Sequence, residues 1–279
     1  MAAWIGLGLS FVSALVVNWA YTREHAAAST LPPLSPRHPL AAARLLLRAR
    51  MWLVGFASET AGWIVYVVSL ALAPLALVQA VGASGIVVLA SITARGPRRL
   101  ALHERVGVVV AFAGLALLGL SLVNEQPVDH APNGFATAVW LGACVGGALF
   151  LASATFRSGR AAPLGLAAGL LFAGGDISAK LVVFGDAWVL AAVPLVIAYG
   201  LGTLTLQSSF QHGDALTGAG LATLTTNALP IAAGFVLFDE SLPAGGAAVM
   251  QIAAFACIVL SATAFADPRA REARIDTPS

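Results

Sequence analysis

The chain has 279 residues, 59% of them hydrophobic and 10% charged, with a net charge of +2 and a mean hydropathy of +0.87. A soluble globular protein carries about 25% charged and about 45–50% apolar residues, so this chain has too few charges to cover a surface that faces water. The composition excludes a soluble enzyme, a nucleic-acid-binding module and a disordered chain, and leaves a multi-spanning helical membrane protein.

A membrane span takes about 20 apolar residues, and nine such segments follow along the chain: roughly 3–21, 51–72, 74–93, 106–123, 134–156, 163–184, 187–206, 215–238 and 244–266. The first could be mistaken for a cleaved leader, because Ala26 to Ala28 follow it. It has no basic residue before Trp4, and Arg23-Glu24-His25 separates it from the small residues, so it reads as a retained span. Residues 29–39 (STLPPLSPRHP) are Pro-rich and predict irregular chain. Residues 40–50 (LAAARLLLRAR) fit two readings, a short basic helix on the lipid surface or an extension of the second span. The 28 glycines suit close packing of helices in lipid. Cys144 and Cys257 lie in separate apolar segments and predict neither a disulfide nor a thiolate metal site. The five histidines lie between segments without ligand spacing, and no Gly-rich phosphate loop is present, so an enzyme, a bound cofactor and ATP drive are not expected.

Charge placement orients the nine segments. All 14 arginines fall in the odd-numbered connections and the C-terminal tail, while the even-numbered connections hold Glu125, Asp129, Asp186, Asp239 and Glu240. By the positive-inside rule the C-terminus is cytoplasmic and the N-terminus outside, in the plasma (inner) membrane. Trp4, Trp52 and Trp188 stand at segment ends, as interfacial anchors do.

Three ionisable residues fall within segments: Glu59, Asp176 and Lys180. A lone charge at the bilayer centre costs about 2.5–3.5 kcal/mol on insertion scales, which directs such residues to the bundle interior. Asp176 and Lys180 are four apart on one helix face and can form an ion pair, either a structural clasp or part of a site. Glu59 has no partner nearby in sequence; Trp63 stands one turn on. Glu59 and Asp176 could supply the one or two carboxylates that Mg²⁺ accepts while keeping its waters. Thr223, Thr226, Asn227, Gln79, Ser84 and Asn18 are further oxygen donors. Pro230 within the eighth segment frees a carbonyl near Thr226, Pro74 opens the third, and Pro194 interrupts the seventh. Helix breaks at matching places in two halves point to a central site.

The halves echo each other weakly. VQAVGASGIVVLAS and AFAGLALLG in the first answer TLTTNALPIAAGFVLF and IAAFACIVLS in the second. Residues 1–123 then form a first repeat of four spans with the loop 22–50, residues 134–266 a second of five, and 267–279 a cytoplasmic tail. Matched by direction, segments 2–4 pair with segments 7–9 as an inverted repeat. The stretch WLVGFASETAGWIVYVVSLALAPLALVQAVGAS, with Trp52, Glu59, Tyr66, Ala73-Pro74 and Gly82-Ala83-Ser84, resembles the drug/metabolite transporter superfamily, in particular its NIPA-like magnesium transporter branch. Ser58, Gly62 and Gln79 depart from that branch's pattern. The resemblance implies an all-α bundle with an inverted repeat and a transporter of Mg²⁺ or another divalent cation. Two other functions compete: a proton-coupled exporter of a small organic solute, and a membrane scaffold in which polar residues only hold helices together. The expected partners are the lipid bilayer, a small solute or divalent cation, and a second copy of the chain, with no nucleic acid.

Overall fold

The computed structural model describes residues 2–34, 39–72, 81, 85, 89–90, 92, 102–121, 132–158, 161–183, 186–237 and 245–266, and among these every regular element is helical. The helices are α1 Ala2–Ala28, α2 Pro39–Arg48, α3 Arg50–Leu72, α4 Leu102–Ser121, α5 Gly134–Ser158, α6 Ala161–Val183, α7 Ala192–His212, α8 Ala215–Leu237 and α9 Gly246–Ala266, with a 3-10 turn over Asp186–Ala191. Eight of them match predicted segments. The third segment, 74–93, lies almost wholly outside the described residues, as do Pro74, Gln79 and Ser84; the pairing of halves depends on that segment.

Local chemistry sets the helix starts. The Asn133 side chain accepts from the backbone N–H groups of Phe135 at 2.9 Å and Ala136 at 3.3 Å, and Asp214 accepts from that of Thr217 at 2.9 Å, satisfying first-turn donors that have no helical partner. Pro39, Pro163 and Pro194 all sit in first turns, where a missing N–H costs nothing. Pro194 therefore opens α7 behind the 3-10 turn instead of interrupting it. Pro230 does lie inside α8, which continues past it.

One segment differs from expectation, and for another the structure selects between two readings. α1 runs on to Ala28, so Arg23-Glu24-His25 belongs to the helix and not to a connection. α2 is a helix of its own, separated from α3 at Ala49, because it has its own burial: Ala42 and Leu46 pack with Ala27, Leu34 and Trp52.

Small residues draw the helices together. α3 lies on α1 at Gly55 and Gly62, where an added Cβ would stand 2.7 Å from the Glu24 Cγ and 2.6 Å from the Val17 Cγ2. α6 packs against α5, α7 and α8. It meets α8 backbone to backbone: a Cβ at Gly165 would be 2.7 Å from the Gly218 carbonyl oxygen, and one at Gly169 2.8 Å from that of Ala222. This small-residue spacing of four is the usual device where lipid offers no hydrophobic drive for helices to associate. Against α7 the fit is ring into glycine, Tyr199 on Gly175 and Phe172 on Gly202. α4 packs on α9.

Four helical stretches are long and apolar enough to cross a membrane: Trp4–Ala28, Gly134–Ser153, Ala161–Ala179 and Ala187–His212. Large apolar side chains face outward along them and along α9, including Phe150 (73% exposed), Val196 (70%) and Ile252 (72%). That inside-out surface suits lipid and not water, and the protein is membrane-embedded.

Candidate functional site

The polar residues of α1 form a stripe. Ser10, Ser13, Asn18 and Glu24 are all buried, recurring at the spacing that keeps them on one side of a helix. The Ser13 hydroxyl donates to the Gly62 carbonyl at 2.7 Å, and the Asn18 amide to the Ala14 carbonyl at 2.8 Å. Ser13 and Glu24 meet the glycines of α3, and Asn18 packs against Gly85. Gly55 admits the Glu24 side chain, and Glu59 stands one turn further along α3. The two carboxyl groups consequently lie side by side, within hydrogen-bonding reach, and the Tyr21 hydroxyl reaches Glu59 as well.

α7 closes the site. The Gln207 amide nitrogen donates to Glu24 Oε2. Glu24 and Gln207 are both fully buried, and Glu59 is half-buried. Glu24 Oε1 and Gln207 Oε1 are buried acceptors with no hydrogen-bond partner. Buried polar atoms are rarely left so. The amide orientation follows from chemistry, because only the nitrogen of Gln207 can donate to a carboxylate. Two adjacent carboxylates repel each other at close range in a low-dielectric interior. The site is rich in acceptor oxygens, the ligand type a hard cation takes. Among the described residues no three His, Cys, Asp or Glu side chains gather, so the acids are a pair and not a larger cage.

Asp176 lies in a second polar group. Tyr199 donates to Asp176 Oδ1 at 2.5 Å, its ring held between Gly175 and Phe172. Tyr66 of α3 is an electrostatic neighbour of both Asp176 and Tyr199, and Glu59 of Tyr199. Tyr199 and Gln207 are eight residues apart on α7, about 12 Å of helix, so the two acidic groups stand at different depths with Tyr199 linking them.

The other predicted site residues are placed as follows. Asn227 donates to the Thr223 carbonyl at 2.7 Å, one turn back, and Thr226 to the Gly169 carbonyl at 3.4 Å, so these bonds tie α8 to itself and to α6. The side chain of Lys180 lies outside the described residues, which leaves its pairing with Asp176 open. Trp63 is 53% exposed and turns away from the acids. The structure therefore brings Glu59 to Glu24 and Tyr21, and Asp176 to Tyr199 and Tyr66.

Glu24 and Gln207 are the residues that sequence reasoning missed. A signal for Glu24 existed: Ser10, Ser13, Asn18, Tyr21 and Glu24 hold a helical period that carries past the apolar run. Gln207 offers no comparable signal.

Beyond the acids, α7 grips the end of α1. Gln211 donates to the carbonyls of Ala28 (2.9 Å), Leu31 (3.2 Å) and Pro32 (3.1 Å) and accepts from the Leu34 N–H at 2.8 Å. His25 Nε2 bonds the Gly213 carbonyl at 2.9 Å. Glu24 and Gln207 lie one turn inside this latch. No family model, curated protein sequence or solved structure matches the chain.

Proposed function

We infer that the protein is a secondary transporter or facilitator in the plasma membrane that passes a divalent cation, Mg²⁺ foremost, between its helices by alternating access. The observation that carries this reading is the pair of buried, unpartnered acceptor oxygens on Glu24 and Gln207 beside the Glu59 carboxyl. A doubly charged cation neutralises two carboxylates and satisfies the orphaned oxygens at once, and Mg²⁺ is content with one or two carboxylates plus retained waters. The resemblance of Trp52 to Ser84 to the NIPA-like branch of the drug/metabolite transporters supports the same reading.

In this mechanism the arginine-free outer connections raise the local cation concentration modestly. The ion sheds part of its water shell at the Glu24–Glu59 pair, with Gln207 as a neutral oxygen ligand. Release to the cytoplasm needs the Gln211 and His25 contacts between α7 and the end of α1 to part.

The test is Mg²⁺ uptake by purified protein in liposomes, followed with an entrapped indicator dye. Glu59→Gln and Glu24→Gln should each reduce uptake at least tenfold while the protein stays monodisperse. Wild-type uptake by both variants overturns the reading.

The Tyr199–Asp176 hydrogen bond and the tyrosines between the two acidic groups favour a second reading, a proton-coupled exporter of a small organic solute. Transport that follows a pH gradient and ignores Mg²⁺ would select it.

A further inference from the structure

α2 presents two faces. The inner one, Ala42 and Leu46, is buried against Ala27, Leu34 and Trp52, with Leu204 of α7 beside it. The outer one carries Leu40, Arg44, Leu47 and Arg48, all exposed, and continues into Arg50 and Met51 at the start of α3. These positions share one side of a helix. Leu40 is 86% exposed and Leu47 60%. Residues 29–50 include no acid, so nothing within the segment offsets its arginines. A face of exposed leucines is poorly suited to water, and a face of arginines is poorly suited to the acyl interior. The boundary between them suits both: leucines enter the acyl chains while guanidinium groups stay at the headgroups. Nearby on α1, Arg23 lies 4.9 Å above the Trp19 ring, a cation and an indole placed as they are at such boundaries.

We propose that the Leu40–Arg44–Leu47–Arg48 face of α2 is a docking site for the phosphate headgroup of an anionic phospholipid. The charge decides the occupant. Arg44 and Arg48, one turn apart, present two planar forks that match phosphate oxygens bidentately, and Arg50 adds to the local positive field. A zwitterionic headgroup offers the same phosphate but cancels its charge, so anionic lipid is preferred. The site is independent of any transported solute.

The test uses the full chain, purified in mild detergent and incubated with mixed micelles of phosphatidylglycerol and phosphatidylcholine, with retained lipid counted by native mass spectrometry. The wild type should retain phosphatidylglycerol over phosphatidylcholine by tenfold or more. Arg44→Gln/Arg48→Gln should lose that preference, whereas Arg269→Gln/Arg271→Gln in the tail should keep it. Arg44→Lys/Arg48→Lys, which preserves charge without the fork, should retain an intermediate preference and guards against a mere folding defect. Equal retention of the two lipids by the wild type overturns the proposal. So does an unchanged preference in Arg44→Gln/Arg48→Gln, or a dimer that Leu40→Ser/Leu47→Ser dissolves, since the face would then be an interface between copies.

Discussion

Glu24 shows how far one side chain can depart from its sequence context. It sits between Arg23 and His25, in what reads as a charged stop after an apolar run, yet it is fully buried while Arg23 is exposed. Helical geometry explains the split, because neighbours one apart point about 100° away from each other. Gln207 is the residue that makes this burial tolerable. Removing its amide in Gln207→Leu leaves Glu24 Oε2 without its donor, and a buried group stripped of its partner costs about 1–3 kcal/mol. Thermal unfolding in detergent should show that loss, and Gln207→Glu, which adds a third carboxylate, should show a larger one that Mg²⁺ partly reverses. Double substitution reads the pairing directly: Glu24→Gln/Glu59→Gln should impair Mg²⁺ uptake no more than either single change, since contacting residues acting as one unit are not additive.

At the scale of helices, glycine decides which faces meet. The α6–α8 contact at Gly165 and Gly169 runs against backbone atoms that have nowhere to move. Gly169→Val, whose Cβ would lie 2.5 Å from the Thr225 Cβ and 2.8 Å from the Ala222 oxygen, should cost about 1–3 kcal/mol or more in a thermal melt, as overpacking does. Gly142→Ala or Gly146→Ala on α5, where nothing lies within 4 Å of the added carbon, should raise stability slightly, by up to about 1 kcal/mol. The α1–α3 contact bears on the proposed function. Gly55→Val would collide with the Glu24 side chain, so it should reduce Mg²⁺ uptake more than it lowers the melting temperature. Most of the helices themselves were legible in advance. Apolar length marked α1 and α3 to α9, and Asn133 and Asp214 stood where first-turn donors need acceptors. For α2 the sequence left two readings, a separate short helix or an extension of the next span, because LAAARLLLRAR continues the helical pattern; its own packing surface under Leu46 and Trp52 decides for the separate helix.

At the scale of the whole molecule, the placement of arginine predicts topology. In a background with Cys144 and Cys257 replaced, Ser29→Cys should react with an impermeant maleimide only from the cytoplasmic side, and Asn133→Cys only from outside; both positions are exposed. Labelling of both from the same side would refute the arrangement. On that orientation the Gln211–His25 latch would lie on the cytoplasmic side, and Gln211→Ala should loosen it and raise labelling of a cysteine placed at Gln207.

Composition and charge alternation alone determined the solvent, the positions of most helices and the presence of acids within the membrane, because lipid imposes its demands on each segment locally. Nothing along the chain could show that Glu59 would meet Glu24 instead of Asp176, or that Gln207, 183 residues from Glu24, would complete the site. Those pairings follow from which helices lie against which, and that is decided where glycine allows two backbones to touch.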